Sequence, residues 1–562
     1  MHPTTPHTKP KRTTQRRKAV AGSFLKSVLT GLVLAVAMEG PVLAQTTNAA
    51  DDGTVLKQII IFGRHSIRSA TSDTTNLNQF SANPSPGFPG VPVGYLTPNG
   101  RLAAGLMGSY FHDYLLHEGV LTGDTNTDLA RSYFRANTIE RSYTTAAKFG
   151  AKLIPAANIP VHTFAAGTPD LVIDPLLAGV ATVDPARALA ELQGVYGSGT
   201  NLSSAYSREL SLISKVLYPP GTQPLYPGTT PTNNAPPGSF DPTTLPILLT
   251  TNAPQYSTNS TNYYITGEVL SMGGLESTMD ATDPFVMQYA VGFPTNDVAW
   301  GRLTLDELSQ QTRLVTLQFD ICMRQPYLAR VQSSSAASHI LRSMLQVTGG
   351  VPLEGAFGTN QPQVLVIISS DAYLAGLAGL LDMHWLLPGY QPDFCPPGGA
   401  LVFELRQVTA TGQYLVRVFY TAQTFDQLRN LTHLTLAAPP ATQQLLVPGG
   451  SSTTNLDVDF TTFTNLMNAA IGLEYVQSAN EIQPIVQDPY TTDNPTNITA
   501  SVSSNTLTIA WPADHIGWML QAQTNGLSTG QWFDLPGSDV VNAVVIPINP
   551  ANTSVFYRQR LP

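Results

Sequence analysis

The sequence predicts an α/β fold: a mostly parallel sheet flanked by helices, with a small all-β sandwich module at the C-terminus. Three observations predict it. Gln58-Ile59-Ile60-Ile61-Phe62 and Val364-Leu365-Val366-Ile367-Ile368 are apolar runs rich in β-branched residues, the pattern of strands buried on both faces of a parallel sheet. Each run ends in polar or charged residues, and in open α/β sheets that edge binds the ligand. After Pro495 the chain changes to short alternating runs separated by turn residues, the pattern of a β-sandwich.

The chain has 562 residues, enough for a large core and more than one domain. Only 12% of them are charged, which suits an exported protein with long polar loops. Lys11, Arg12, Arg16, Arg17 and Lys18 form a basic n-region, and Val28 to Met38 a short apolar stretch, too short to span a bilayer comfortably. Val42-Leu43-Ala44 then offers a cleavage site, so residues 1–44 read as a signal peptide, cut after Ala44, and the protein as secreted or periplasmic. Removing those residues takes away seven Lys/Arg and one Glu, which moves the net charge from −9 to −15. Such a surface is not built for nucleic acid or anionic membrane. An anionic substrate would need a local cationic pocket. No later stretch reads as a membrane span. The two cysteines, Cys322 and Cys395, could pair in an oxidising compartment or stay as separate buried thiols.

In order along the chain, Gly63 would permit a tight turn after the first strand, and Arg64, His65 and Arg68 would stand just past its carboxyl end. Two fixed cations flanking one imidazole make a poor core and a good anion site. Arg64-His65-Ser66-Ile67-Arg68-Ser69-Ala70 resembles the histidine acid phosphatase signature, Arg-His-Gly-x-Arg-x-Pro, with the glycine and proline replaced. After a polar loop, roughly 72–93, Leu96-Thr97-Pro98-Asn99-Gly100 leads into an apolar-periodic helix, about 101–117, and is similar to an element that precedes the family's first helix. His112 and His117 read as solvated or helix-end residues. Residues 132–135 could be a short strand, and a helix over about 138–153 would start at a capping box of Asn137 and Glu140. Spacing alone leaves Arg135 and Arg141 as equal candidates for a third anion-binding arginine. Glu140-Arg141-Ser142 resembles the setting of the family's third phosphate-binding arginine, and that resemblance favours Arg141. A helix near 207–217 follows, and then Pro219 to Pro246, whose Pro, Gly, Thr and Asn content makes it a surface insertion or substrate-side loop.

Residues 265–350 read as largely helical, over 274–292, 303–319 and 329–347. Arg324-Gln325-Pro326-Tyr327-Leu328-Ala329-Arg330 resembles a stretch of the family's helical subdomain, which implies a helical cap subdomain over about 155–350. The second buried strand ends in Ser369-Ser370-Asp371 and a helix through Leu381. Trp385-Leu386-Leu387-Pro388-Gly389-Tyr390 and Pro396 to Leu405 resemble the bacterial phytase and periplasmic acid phosphatase branch, and the resemblance covers residues 55–475. The phosphatase domain is expected over 50–480, a linker over 481–496 and the sandwich module over 497–562. Strands in the module are expected at 498–502, 506–511, 518–523, 541–548 and 554–558. Glycan or surface attachment through exposed Trp, or a spacer role, would suit such a module.

The resemblance implies a phosphoric monoester hydrolase acting on phytate or sugar phosphates. Neutral His65 would be the nucleophile forming a phosphohistidine. Arg64, Arg68 and Arg141 would bind the phosphate with paired donors that lysine cannot match. Asp371 would be the general acid, and as the residue before a helix it also fits an N-cap. Ser370 would touch the phosphate where the family carries a histidine. No metal-ligand spacing and no cofactor motif is visible. His384 lies beyond a helix and is left out of the site. Because a serine hydroxyl is short and uncharged, a catalytically weakened phosphate-ester-binding protein is the second reading. A surface-adhesion protein is the third.

Overall fold

The computed structural model describes residues 52–562 except 165–167, 233–234, 253–255, 260–261, 266–269, 359, 478–482, 486–496, 513–514, 516–517, 525–531, 536, 539–540, 551, 553 and 561–562. The expected signal peptide, residues 1–44, lies outside the described residues, as does most of the expected linker. The main sheet contains β1 (Thr54–Arg64), β2 (Ser132–Ala136), β3 (Val161–Thr163), β4 (Val364–Ser369), β5 (Ala400–Val408) and β6 (Tyr414–Ala422). Its centre is parallel, in the order β1-β4-β2-β3. β5, β6 and Ala441–Gln444 extend it antiparallel from β1, and Val458–Asp459 also pairs with β6. Gln483–Ile485, inside the stretch expected as linker, pairs antiparallel with β3.

The helices that matter here are α1 (Pro98–His117), α2 (Glu140–Leu153), α3 (Gly274–Ala290), α4 (Leu305–Phe319), α5 (Pro326–Gly349) and α6 (Asp371–Leu380). Side chains alternate across the sheet, so β1 feeds two cores. Ile59 and Ile61 pack with Met107 and Phe111 of α1 and Phe149 of α2. Ile60 and Phe62 belong to the larger core on the opposite face, with Ile340 of α5 and Leu374 and Leu377 of α6. Each such fully buried side chain contributes roughly 1.5–3 kcal/mol.

Several local expectations are corrected. Gly63 lies inside β1, not in a turn; a Cβ there would stand 2.8 Å from the Ile368 side chain, so its small size serves strand packing. The chain turns only after Arg64. Asn137 and Glu140 form no capping box, because α2 begins at Glu140 with Ile139 as its uncapped start. The Glu140 carboxylate instead accepts from the Leu96 amide at 2.8 Å and from Thr144 at 2.9 Å, tying α2 to the segment before α1. His112 is not solvated, since its Nδ1 donates to the Leu153 carbonyl at 2.8 Å. α5, from the end of the expected cap, packs on the sheet face, where the Gln58 side-chain amide of β1 donates to the Ser343 carbonyl at 3.1 Å. Cys322 and Cys395 are both free thiols.

At the C-terminus, Thr499–Ser503, Thr506–Ala510 and Ala543–Pro547 form one antiparallel sheet, and Phe533–Asp534, Met519–Gln523 and Phe556–Arg560 another. Ile509, Trp511 and Leu520 form a small shared core. Trp511 and Trp518 are therefore buried and offer no binding platform. No helix among the described residues is long and apolar enough to cross a membrane.

Candidate active site

The site follows from strand register. Arg64 of β1 lies opposite Ser369 of β4, so the two parallel strands end side by side. The loop after β1 carries His65 to Arg68, and Ser370 and Asp371 follow β4 directly. The His65 amide donates to the Ser369 carbonyl at 2.8 Å, and the His65 carbonyl accepts from the Gly398 amide at 3.0 Å. A third element fixes the loop. Thr97 donates to the Ile67 carbonyl through both its amide and its hydroxyl, each at 2.9 Å. Thr97 also caps α1, and a Cβ on Gly100 would stand 2.1 Å from that same Ile67 carbonyl oxygen. The Leu96-Thr97-Pro98-Asn99-Gly100 stretch thus clamps the Arg/His loop against the start of α1.

His65 is buried, and its Nδ1 lies 2.9 Å from the Ser66 carbonyl oxygen. A carbonyl can only accept, so Nδ1 carries the proton and Nε2 keeps its lone pair. Burial first, then the charges of Arg141, Arg64 and Arg68, hold the imidazole pKa well below its usual value. The ring is neutral at neutral pH and well into acid. The Ser66 amide donates to Thr145 Oγ1 at 3.0 Å, and Thr145 donates to the Arg141 carbonyl at 2.7 Å, which links the Arg/His loop to α2.

The structure brings three of the four candidate arginines together. Arg64 Nη2 lies 2.9 Å from Asp371 Oδ2, while its Nη1 donates to the Cys395 carbonyl. Arg141 donates to the Gly94 carbonyl at 3.2 Å, and burial followed by the Arg68 charge lowers its pKa to about 10, so it still carries charge at neutral pH. The buried Nε–H groups of Arg64, Arg68 and Arg141 have no protein acceptor among the described residues. Arg135 is not part of the cluster. It is fully buried and paired with Asp170 at 2.7 Å.

Asp371 is the first residue of α6 rather than its cap; the cap position belongs to Ser370, whose hydroxyl makes no capping bond. The expectation that Asp371 caps this helix is therefore not met. Tyr373 turns away from the strand ends and bonds Asp174 in a buried cluster with Asp170. His384 pairs with Asp393 at 2.6 Å, near Arg324.

Sequence reasoning missed Asp283. This carboxylate, on α3, holds Arg68 through two bonds of 2.7 and 2.6 Å. Only its place in a helix of the expected cap could have drawn attention to it; nothing local marks it. Asp283 and Gln318 of α4 line a cavity of about 180 Å³ together with Arg64, Arg68 and Asp371. The described part of the 219–246 stretch does not line that cavity. An open cleft of about 700 Å³ lies on the opposite face of α4, with Arg208, Arg313 and Tyr390, and includes none of the Arg/His loop. Of the two, the smaller cavity is the one lined by Arg64, Arg68 and Asp371. No cluster of His, Cys, Asp and Glu able to hold a metal occurs among the described residues.

Comparison with known proteins agrees with this geometry. No family model matches the chain. A phytase (AppA) of Escherichia coli strain K12 is 29% identical over 400 residues, which span 70% of this chain and 87% of that protein. A glucose-1-phosphatase of Salmonella typhimurium is 26% identical over 447 residues, spanning 78% of this chain and 98% of the relative. A solved phytase structure from Hafnia alvei, in complex with tartrate, covers 76% of this chain and 99% of its own at 26% identity and a TM-score of 0.63. These similarities support a histidine acid phosphatase of the bacterial phytase branch, a family of phosphoric monoester hydrolases.

Proposed function

We propose that the protein hydrolyses phosphate monoesters of the phytate or sugar-phosphate type through a phosphohistidine on His65. The observation that carries this reading is a buried neutral imidazole, its Nε2 lone pair free, among three guanidinium groups. Arg64, Arg68 and Arg141 bind the non-bridging oxygens and stabilise the charge that develops on them; losing one such donor typically costs about 2.7–4 kcal/mol. Nε2 attacks phosphorus as the ester P–O bond breaks. Phosphate arriving at Arg64 displaces Asp371 from its ion pair; the freed carboxylate takes the proton carried by the phosphate monoester monoanion and passes it to the leaving oxygen as the P–O bond breaks. The resulting carboxylate then takes a proton from water as that water attacks the phosphohistidine and restores neutral His65. Ser370, at the mouth of α6, offers the phosphate a neutral hydroxyl where the family resemblance implies a histidine. The basic segment, apolar segment and Ala44 site at the N-terminus support export.

The test is phosphate release from p-nitrophenyl phosphate and phytate by mature protein and His65→Ala. Turnover lost by at least ~10³-fold in the variant is expected for a nucleophile. Wild type no faster than the variant would leave the second reading, a phosphate-ester-binding protein, in which Ser370 marks lost catalysis.

A further inference from the structure

Two carboxylates on α3 face the cavity, and only one is matched by a cation. Asp283 is held by Arg68. Asp280, one helical turn earlier, lines the same cavity and has no cationic partner among the described residues. Its side chain is exposed and borders the cavity. Partial burial first, then Asp283 and Glu276, push its pKa up to about 6, so it is charged at neutral pH. The charged groups in the cavity wall are Arg64 and Arg68 from the loop after β1, Asp371 from α6, and Asp280 and Asp283 from α3; the polar residues from α4, Gln311 and Gln318, are neutral. A bound phosphoryl group takes up both arginines. The rest of the substrate then meets Asp280 and Asp283, with no lysine or arginine in the cavity wall left to receive a second phosphate.

We propose that Asp280 is a specificity-determining residue that selects monophosphate esters of neutral, hydroxyl-bearing alcohols and disfavours multiply phosphorylated ones. This rests on the reading of the cavity as the phosphate-ester site. The selection works by an uncompensated like charge against the wrong substrate, while a hydroxyl of the right one can donate to the carboxylate. Asp280 shares the cavity wall with Arg64 and Arg68 and pairs with neither among the described residues, so its charge is left to face the rest of the ester.

The experiment compares wild type with Asp280→Asn and Asp280→Ser at pH 7. It measures kcat/KM for glucose 1-phosphate and for phytate, and by calorimetry the Kd of the non-hydrolysable polyanion myo-inositol hexakissulfate. The expected result is a wild-type preference for glucose 1-phosphate of at least ~10-fold. In both variants the phytate to glucose 1-phosphate ratio rises about 10-fold, mainly through KM, and hexakissulfate binds correspondingly tighter. A wild type that prefers phytate, or variants that leave the ratio and the hexakissulfate Kd unchanged, would overturn the proposal while leaving the phosphatase reading intact. Should no ester turn over, the phosphatase reading fails by itself. The calorimetric comparison then decides the role of Asp280: unchanged affinity in the variants overturns it, and tighter binding supports it.

Discussion

His65 and Asp371 carry opposite halves of the proposed chemistry, and their surroundings differ accordingly. His65 is kept neutral by burial first and by the surrounding cations second; Asp371 is held by one guanidinium that the substrate itself can take over. Asp371→Asn removes the proton donor and leaves the phosphate-binding arginines in place. It is expected to lower kcat on an alkyl phosphate about 10²–10⁴-fold. The loss on p-nitrophenyl phosphate should be much smaller, because that leaving group departs without a proton. Equal losses on both substrates, measured side by side, would argue that Asp371 positions Arg64 and does not act as an acid. At this scale the sequence was legible wherever chemistry sits in a short motif. Arg64, His65 and Arg68 were visible in one turn of chain, and Ser370-Asp371 at a strand end. Asp283 and Asp280 were not visible, because their relevance depends on a helix more than 200 residues away in sequence folding over the same strand edge.

At the level of elements, the segment before α1 sets the shape of the phosphate loop. Two hydrogen bonds from Thr97 hold the Ile67 carbonyl, and Gly100 allows backbone-to-backbone approach that no side chain permits. Gly100→Ala would force the Ile67 carbonyl to move, at a cost of about 3 kcal/mol as for severe overpacking. The expected outcome is a lower midpoint in urea together with lost activity, since Ile67 lies between His65 and Arg68. A variant with wild-type stability and turnover would contradict the clamp. Apolar periodicity gave the helices close to their observed bounds: expected 101–117 against Pro98–His117, and 303–319 against Leu305–Phe319. It misplaced Glu140, because capping-box spacing is a local signal and the Leu96 amide made a better, tertiary donor for that carboxylate. The short strand Phe533–Asp534 escaped notice because two exposed residues carry no alternation to read.

Across the whole molecule, two buried groups oppose each other in pH. Asp174, beside Tyr373 and Asp170, is raised from 3.8 to about 7, chiefly by burial. Folded protein therefore binds more protons than unfolded chain between those values, and this group's stabilisation is lost as pH rises through that window. His65 is lowered, so below about 6.5 the unfolded chain binds the extra proton and His65 weakens the fold as pH falls. Asp174→Asn isolates the first effect. Its stability relative to wild type should increase steadily from pH 4 to pH 7 in denaturant titrations; a constant difference would mean that Asp174 is ionised in the fold throughout. The overall architecture was legible because two all-apolar strands can only be central and parallel. The antiparallel extension through β6 and Ala441–Gln444 was not, since half-buried strands beside a buried centre leave a weaker pattern. The central claim is that the strand ends of β1 and β4 assemble a nucleophilic histidine. The measurement that tests it most directly is rapid quenching of a turnover mixture into alkali, where phosphohistidine survives, followed by mass mapping. The account predicts phosphate on the peptide containing His65 in wild type, accumulating further in Asp371→Asn with p-nitrophenyl phosphate. Steady turnover with no label, or label on another residue, would contradict it.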